Sequence, residues 1–313
     1  MTKNYAVIDI GTLKVKFLIA SLTPSGELIE KYSSNTLTCF GCEMDKNNGY
    51  VLEENLVKTI NELKRCKSLL KKYGVKKYRV VSTHAMRRAK NKVEILKRIK
   101  KEVGFEVESI SQEKEAEFFF TAVLKDFPEN NEYAVLDMGG GSVQVLIGTK
   151  GKLIKVHMMQ TGAQYLHDNF TKDPSNPNSF TTPEDLEIMK EYILKELLPL
   201  EKTKGLPIIY GSSNIIDLMK AINLPLETHE DSKTHPYKTY SKYLQEFMRE
   251  VLPHSYTKRE EMFPFQWGYM WGIDKAFLNV VTIGKHLESP HIIPSNANIA
   301  QGFIYSMVEG ELN

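Results

Sequence analysis

Cysteine is scarce in this sequence, with three residues among 313. So small and odd a number does not build a disulfide framework and suits a reducing compartment. Cys39 and Cys42 have the spacing of a redox pair or of half a zinc site, but no second cysteine pair or nearby histidine pair completes such a site. The sequence therefore predicts two incidental thiols at these positions.

The sequence also lacks an excess of charge and a long apolar run. Lysine and arginine total 41 against 39 acidic residues, so the net charge of +2 gives no reason to expect DNA or a membrane surface as a partner. No apolar run approaches the length of a membrane span, and the first residues lead straight into a strand-like segment rather than a secretory signal. These absences predict a cytoplasmic protein.

One stretch stands out among the residues that are present, namely Asp137-Met-Gly-Gly-Gly-Ser142, flanked by apolar and β-branched runs. This pattern predicts two buried strands joined by a hairpin without side chains at its tip. Backbone N–H groups in such a turn can bind an anion, and the Asp at the strand end offers a carboxylate to a metal or a water. A tight hairpin with no further role explains the same pattern.

A weaker copy of this corner occurs near the start of the chain, at Asp9-Ile-Gly11-Thr12. Each corner sits between the first two strands of a predicted three-strand meander, so the sequence predicts a duplicated unit. A chain of this length is expected to form two domains of about 100–200 residues. We place them at residues 1–124 and 125–298, with the closing helix, 299–313, able to pack back on the first.

Two further segments in the first half carry candidate chemistry. Residues 77–82 predict a strand, and the turn after it carries Arg87, whose guanidinium can grip phosphate bidentately, although a cationic run is also typical of a solvated helix face. After a predicted strand at 105–110, a helix from about 113 to 124 carries Glu115 ahead of three phenylalanines. Apolar surroundings there are expected to raise the pKa of this carboxyl toward that of a general base. Glu113, in contrast, suits a capping role.

The second half holds one more candidate, the polar corner Gly211-Ser212-Ser213, which follows a predicted strand at 206–210 and precedes a helix. Amides at the start of that helix can meet an anion, so the corner is a candidate contact for a nucleotide or a phosphate. Simple capping of the helix accounts for the same residues.

Four of these motifs, in this order, resemble those of the exopolyphosphatase and guanosine pentaphosphate phosphohydrolase family, Ppx/GppA, which belongs to the actin, Hsp70 and sugar-kinase superfold. They are Asp9 to Thr12, residues 82–91 around Arg87, residues 110–116 around Glu115, and Asp137 to Gln144. The resemblance covers nearly the whole chain.

The resemblance implies an α/β fold of two ribonuclease-H-like, actin-like ATPase domains that face each other across a cleft. It also implies release of terminal phosphate from polyphosphate or guanosine penta- or tetraphosphate by water, with Mg²⁺ or another divalent cation. Glu115 would activate the water, Arg87 would neutralise phosphate charge, and Asp137 would hold metal or orient the nucleophile. The candidate phosphate contacts in these motifs are Gly11, Thr12, Lys14, Gly139, Gly140, Gly141 and Ser142, and the candidate metal ligands are Asp9, Asp137 and Gln144; of these, Lys14 and Gln144 do not match the family's residue. A homodimer is expected by analogy with the family.

The chain departs from the family's pattern around this centre. Gln144 stands where the family has Glu, and a neutral amide is a poorer metal ligand than a carboxylate. Further departures lie after the first corner, at the position of an expected Arg, at the corner that follows residue 212 and in the closing motif. They are Leu13, Lys14, Gln164, Ser213, Asn214, Ile215, Ala300 and Gln301.

Several functions stay open. The departures suit an altered or weak phosphohydrolase, and they equally suit a non-catalytic sensor or binder of guanosine tetraphosphate-like nucleotides or polyphosphate. An ATP-dependent kinase of the same superfold fits the two Asp-Gly corners but not the motifs at 82–91 and 111–116.

Overall fold

The computed structural model describes residues 3–124, 132–149, 152–176, 178–200, 205–212, 214–229, 235–265 and 269–312. The chain divides into two compact units, one formed by residues 1–122 with 299–313 and the other by residues 123–298. The boundary lies inside a helix, whereas the sequence had placed it at the end of that helix, after residue 124.

The first unit is built on a five-stranded sheet with the order β3-β2-β1-β4-β5. Strands β1 to β3 are antiparallel neighbours, while β4 and β5 run parallel to β1. The elements of this unit, in chain order, are β1 (Tyr5–Ile10), β2 (Lys14–Leu22), β3 (Leu28–Leu37), α1 (Glu53–Lys72), β4 (Lys77–Ser82), α2 (His84–Arg88), α3 (Lys92–Val103), β5 (Glu108–Ser109) and α4 (Gln112–Leu124).

Strand β1 is buried on both faces because each face meets a different layer. Ile8 and Ile10 point into a core that includes residues of α1 and α3, whereas Val7 points into a core shared with the closing helix of the chain. A strand covered on both sides usually has a continuous apolar sequence, and Asp9 interrupts that sequence in β1. Core packing therefore does not explain why a carboxylate occupies this position.

The second unit repeats this topology in a sheet with the order β8-β7-β6-β9-β12, so the predicted duplication is present. Strands β6 to β8 are antiparallel neighbours, while β9 and β12 are parallel to β6. The elements, in chain order, are β6 (Glu132–Met138), β7 (Val143–Thr149), β8 (Lys152–Met159), α5 (Ala163–Phe170), α6 (Pro183–Leu197), β9 (Ile208–Gly211), α7 (Ile215–Ala221), β10 (Glu227–Thr228), β11 (Tyr237–Lys238), α8 (Ser241–Val251), α9 (Tyr256–Met262), α10 (Ile273–His286) and β12 (Ile292–Ser295).

The chain ends in helix α11 (Ile299–Leu312), which returns to the first unit and packs on its sheet. Phe303 of this helix stacks on Phe118 of α4 with ring centroids 3.9 Å apart. A Cβ built on Gly302 would overlap the backbone carbonyl of Phe118, so only glycine allows this approach. Gly302 is thus a packing residue that fixes α11 against the helix that carries Glu115.

A cluster of three charged side chains lies in the interior of the second unit. Arg259, Asp274 and Lys275 are each 0 % exposed. Asp274 accepts from Arg259 Nη1 at 2.9 Å and lies 3.2 Å from Lys275 Nζ, which also donates to Thr181 Oγ1 at 2.7 Å. Buried charges persist only where they are paired and hydrogen-bonded, as these are. The cluster ties helices α9 and α10 to the segment before α6.

Candidate active site

The two Asp-Gly corners have the same backbone geometry. Gly11 N donates to the carbonyl oxygen of Lys14 at 3.0 Å, and Gly139 N donates to that of Ser142 at 3.0 Å. A Cβ built on either glycine would lie 3.0 Å from the same carbonyl oxygen, which is tighter than side chains normally tolerate. The predicted hairpin is therefore present in both units, and its first glycine is needed for the turn itself.

The tip of the second corner is held in place by the start of α5. The Gly140 carbonyl oxygen accepts from Gln164 N at 2.8 Å and from Tyr165 N at 3.0 Å, while that of Gly139 accepts from Ala163 N at 3.2 Å. A Cβ built on Gly162 would overlap the backbone of Gly140 and Gly141. The glycines therefore allow the start of α5 to approach the tip closely. These contacts fix the tip before any ligand binds.

Asp9 is the most deeply buried candidate carboxylate, at 3 % exposure. Burial raises its pKa above the ordinary value, and the nearby cations Lys16 and Arg87 lower it in part. Its Oδ1 is buried and has no hydrogen-bond partner. An unsatisfied buried carboxylate oxygen is costly, so this atom is poised to accept from a cation or a water.

Lys16 is a further candidate that the sequence motifs do not single out. It pairs with Asp9 across the β1–β2 ladder, and residues paired in this way share one face of the sheet. The signal was available, because a hairpin with its tip at Thr12 and Leu13 places Lys16 opposite Asp9. In the second unit, the partner of Asp137 in the equivalent ladder is Gln144.

Arg87 and Glu115 form an ion pair, with Arg87 Nη1 2.7 Å from Glu115 Oε2. Nη1 also donates to the carbonyl oxygen of Ile110 at 3.1 Å, whereas Nη2 is buried without a hydrogen-bond partner. The surroundings of Glu115 are therefore not only apolar, since a guanidinium lies at hydrogen-bond distance from its carboxylate.

Glu113, for which the sequence predicts a capping role, is exposed. Hydrogen bonds from its own backbone amide and from Ser111 lower its pKa. It lies at the start of α4, two residues before Glu115, and therefore provides a matched surface carboxylate on the same helix.

The other predicted residues of the first corner lie at its tip. Thr12 is 9 % exposed, while Gly11 and Lys14 are half-buried. The carbonyl oxygen of Thr12 accepts from Gly41 N at 2.8 Å, so the tip is held by the loop that follows β3. Leu13, where the family has a small polar residue, is half-buried.

In the second unit, polar side chains share one face at the ends of neighbouring strands. Asp137 pairs with Gln144 on β7 and with Gly211 on β9, and Gly211 pairs with Ser295 on β12. Gln144 is 1 % exposed, and its Oε1 is buried without a hydrogen-bond partner, whereas Asp137 is half-buried. Ser142 is 7 % exposed.

Gln164, at the position where the family has Arg, is also buried. It is 3 % exposed, and its Nε2 donates to Asp168 Oδ1 at 2.7 Å. Its Oε1 has no hydrogen-bond partner. The side-chain amide of Gln164 therefore donates to a residue of its own helix. An arginine at this position would have offered several donors.

The corner after β9 shows how its helix is capped. Ser212 N donates to the carbonyl oxygen of Ser295 at 3.1 Å, and the amide of Ile216 donates to Asn296 Oδ1 at 3.0 Å. One amide at the start of α7 is therefore satisfied by the chain itself. Ser213, the third predicted contact, lies outside the described residues.

The unsatisfied oxygens decide whether Mg²⁺ suits these residues. Among the described residues, no group of three or more His, Cys, Asp or Glu side chains is placed to hold a metal ion. Mg²⁺ prefers oxygen ligands and keeps several waters, so one or two protein oxygens together with substrate phosphate can hold it. Asp9 Oδ1 in the first unit and Gln144 Oε1 in the second are buried oxygens of the required kind. Both oxygens are suitable ligands for Mg²⁺, and the Asp9 carboxylate is the stronger of the two.

A family model described as the Ppx/GppA phosphatase family matches residues 38–311 of the chain. A bifunctional 3-dehydroquinate synthase/phosphatase of Fusobacterium nucleatum is 25 % identical over 240 residues, which are 74 % of this chain and 36 % of that protein. Exopolyphosphatase 1 of Mycobacterium tuberculosis is 27 % identical over 143 residues, which are 45 % of this chain and 41 % of that protein. Each match thus spans less than half the length of the relative.

Solved structures match over the whole chain. The Ppx/GppA family member of Aquifex aeolicus has 26 % identity and a TM-score of 0.77, with 100 % of both chains covered. An exopolyphosphatase of Cytophaga hutchinsonii has 22 % identity and a TM-score of 0.84, with 98 % of both chains covered. These neighbours and the two five-stranded sheets confirm the predicted actin-like α/β fold class.

The helices give one further result. Within the ranges that the structure describes, no helix is both long enough and apolar enough to cross a membrane.

Proposed function

The chain belongs to the Ppx/GppA phosphatase family, and from this premise we propose that it releases terminal phosphate from inorganic polyphosphate or guanosine pentaphosphate by metal-assisted attack of water. One observation carries the proposal. A buried carboxylate with an unsatisfied oxygen, Asp9, lies within electrostatic reach of Arg87, which is itself paired with Glu115. The first unit thereby combines a ligand for a metal ion (Asp9), a positive side chain for phosphate (Arg87) and a base (Glu115).

Arg87 can serve Glu115 and a phosphate at the same time. Its Nη1 already holds the Glu115 carboxylate at 2.7 Å, and its Nη2 is buried with no hydrogen-bond partner. A phosphate oxygen that accepts from Nη2 would stabilise the guanidinium without breaking the ion pair. Arg87 therefore binds the anion and also orients the base.

Glu115 is proposed to accept a proton from the attacking water. Its Oε2 accepts a hydrogen bond from Arg87 Nη1 at 2.7 Å, which holds the carboxylate in place as an acceptor. When phosphate binds Arg87, its negative charge partly neutralises the guanidinium. The Glu115 carboxylate is then stabilised less by Arg87 and becomes a better proton acceptor. Phosphate binding thus primes the base.

Asp9 and the two corners complete the proposed assignment. Mg²⁺ bound at Asp9 Oδ1 would neutralise the charge that develops on the transferred phosphoryl group. Lys16 adds positive charge beside Asp9, its partner across the β1–β2 ladder, and Lys14 is assigned to phosphate. In the second unit, we assign phosphate binding to the glycine tip, residues 139–142, and metal or water contact to Asp137.

The test is phosphate release from polyphosphate and from guanosine pentaphosphate with Mg²⁺, in the wild type and in Glu115→Gln. We expect the variant to lose about 10²–10⁴-fold in rate, which is the usual contribution of a general base. Glu113→Gln, an exposed carboxylate on the same helix, is the matched control and should retain wild-type turnover. Equal rates for Glu115→Gln and the wild type would remove Glu115 as the base.

A second function is favoured by Gln144. An amide with an unsatisfied Oε1 occupies the position opposite Asp137, and a neutral ligand holds Mg²⁺ weakly. The chain would then bind guanosine tetraphosphate-like nucleotides or polyphosphate without hydrolysing them. Absence of phosphate release from both substrates, together with calorimetric binding of guanosine tetraphosphate, would favour this function. No binding at millimolar ligand would exclude it.

A further inference from the structure

The turn from Cys39 to Cys42, which we call the cysteine turn, is bonded directly to the first Asp-Gly corner. Thr38 N and Cys39 N donate to the carbonyl oxygen of Leu13 at 3.1 and 2.9 Å, and Gly41 N donates to that of Thr12 at 2.8 Å. Thr12 and Leu13 form the tip of the corner that begins at Asp9. The sequence predicts two incidental thiols, but in the structure the backbone of Cys39 is hydrogen-bonded to the proposed phosphate loop.

The geometry of the cysteine turn suits a disulfide. Cys42 N donates to the carbonyl oxygen of Cys39 at 3.0 Å, which closes a four-residue β-turn. Such a turn brings its first and last Cα atoms within about 7 Å, and disulfides span Cα separations of roughly 4.4–6.8 Å. The two sulfurs can therefore be joined if the turn rearranges.

The two thiols differ in accessibility as an attacking and a resolving cysteine do. Cys39 is half-buried, so a small oxidant can reach it, whereas Cys42 is only 8 % exposed. Cys39 also has a φ of 52°, the left-handed region that residues with a Cβ seldom adopt. The turn is thus held in a strained conformation, which a change in bonding can release.

The turn cannot change shape by itself, because it is packed against two parts of the candidate site. A Cβ built on Gly41 would lie 2.9 Å from Thr12 Cγ2 and 2.6 Å from Ala85 Cβ, so no free space separates them. Ala85 belongs to α2, the short helix that carries Arg87. Phe40, between the cysteines, is 0 % exposed in the core of the unit. Any rearrangement of the turn is passed on to the corner and to α2.

We propose that Cys39 and Cys42 form a reversible intramolecular disulfide that displaces the first Asp-Gly corner and thereby regulates the site. The oxidant is a small disulfide such as oxidised glutathione. The Cys39 thiolate attacks one sulfur of that disulfide and expels one small thiol, and the Cys42 thiolate then attacks the Cys39 sulfur and expels the second. Two protein thiols become one disulfide, and the oxidant is reduced to two thiols. The effect on turnover, but not the disulfide itself, rests on the proposed function.

Cys66 provides an internal control on the same unit. It is 0 % exposed, and burial raises the pKa of its thiol well above the ordinary value. A buried thiol with a raised pKa forms little thiolate and reacts slowly. Oxidation of the native protein should therefore leave Cys66 as a thiol.

The experiment treats the full chain with oxidised glutathione and maps the products by mass spectrometry without reduction. We expect a Cys39–Cys42 linked peptide that dithiothreitol removes, and a stable glutathione adduct at Cys39 in Cys42→Ser. Cys66→Ser should behave as the wild type. A stable glutathione adduct on the wild type, or no reaction at Cys39, would overturn the proposal.

The regulatory consequence is measured separately. Hydrogen exchange of the amides in residues 11–14 should increase after oxidation in the wild type but not in Cys39→Ser, and unchanged exchange would refute the coupling to the corner. Phosphate release should fall by about tenfold or more, since displacement of a positioning element by about 1 Å can cost on the order of a hundredfold. If the reduced protein releases no phosphate, the proposed function fails while the peptide map and the exchange data still decide this inference.

Discussion

Arg87 Nη1 lies 2.7 Å from Glu115 Oε2, so the cation proposed for phosphate binding and the proposed base position each other. The pair joins α2 to α4 and is anchored by a further bond from Nη1 to the Ile110 carbonyl oxygen at 3.1 Å. The two side chains are 19 % and 11 % exposed, and at that depth an unpaired charge is costly. Substitution of either residue therefore also disturbs the other.

Arg87→Lys tests whether the fork of the guanidinium is needed. Lysine keeps the charge, but one ammonium cannot hold Glu115 and Ile110 while it also presents a second donor to phosphate. We expect kcat/KM for phosphate release to fall by about 10²–10³-fold, as for the loss of a transition-state hydrogen bond. Steady-state kinetics measure the loss.

The control for this variant is Arg88→Lys. Arg88 is next in sequence but is exposed and paired with Asp45 at 2.5 Å. Its replacement should leave kcat/KM within a factor of about two, because exposed ion pairs contribute little. Equal losses in the two variants would show that the effect is not specific to the guanidinium of Arg87.

Asp9→Asn should stabilise the protein while it impairs metal binding. Burial raises the pKa of Asp9, so its contribution to stability is fully present below its unfolded value near 3.8 and is lost as the pH rises through the folded pKa. At neutral pH the wild type carries this cost and the amide does not. Thermal unfolding at pH 7 should therefore give a higher Tm for the variant, and the advantage should vanish toward pH 3.

The same variant separates metal binding from stability. If Asp9 Oδ1 holds Mg²⁺, a titration with Mg²⁺ should raise the Tm of the wild type, because a ligand that binds only the folded state stabilises it. The Tm of Asp9→Asn should respond much less. An equal Mg²⁺ response in both proteins would place the ion elsewhere.

Much of the fold could be predicted because it depends on local patterns. The hairpin ending at Asp137 follows from apolar runs and glycines, and its copy at Asp9 predicted the repeated topology that the two sheets share. Segment 105–110 is the exception, since only Glu108–Ser109 forms a strand. Phe105 is 1 % exposed, so its apolar character reflects core packing rather than strand pairing.

The relationships within the candidate site were harder to predict because they are tertiary. Arg87 and Glu115 were identified separately as residue types in motifs, but their ion pair depends on how α2 packs against α4. The missed Lys16 needed only the hairpin register, which places it opposite Asp9. The bond from Gly41 to Thr12 depends on a loop without periodicity, and no local pattern indicates it.

Gln144→Glu tests the most informative departure from the family's pattern. The new carboxylate would lie buried and directly opposite Asp137, so without metal the protein should lose at least ~1 kcal/mol of stability through repulsion and desolvation. With Mg²⁺ the added charge becomes a better ligand, and the Tm gain on Mg²⁺ addition should exceed that of the wild type. A variant that is destabilised equally with and without Mg²⁺ would show that position 144 does not contact the ion.

Gly162→Ala tests whether the second corner depends on its contact with α5. A Cβ at this position overlaps Gly140 and Gly141, so the tip must move, at a cost of about 1–3 kcal/mol for an overpacked site. Phosphate release should fall further than stability alone explains. Gly310→Ala is the control, since a Cβ there meets nothing within 4 Å and helix α11 should gain about 0.5–1 kcal/mol.

Asp274→Asn tests the buried charge cluster of the second unit. Burial would raise the pKa of Asp274, but Lys275 and Arg259 together lower it below its ordinary value. Its contribution to stability is therefore present above the unfolded pKa of 3.8 and is lost as the pH falls through the lower folded pKa. At pH 7 the variant leaves two buried cations without an anion, so its free energy of unfolding in urea should fall by about 3–5 kcal/mol. This deficit should shrink below pH 3.8.

The control is Asp173→Asn, at an exposed position, which should stay within about 0.5 kcal/mol of the wild type. An equal loss in this variant would contradict a specific role for the cluster.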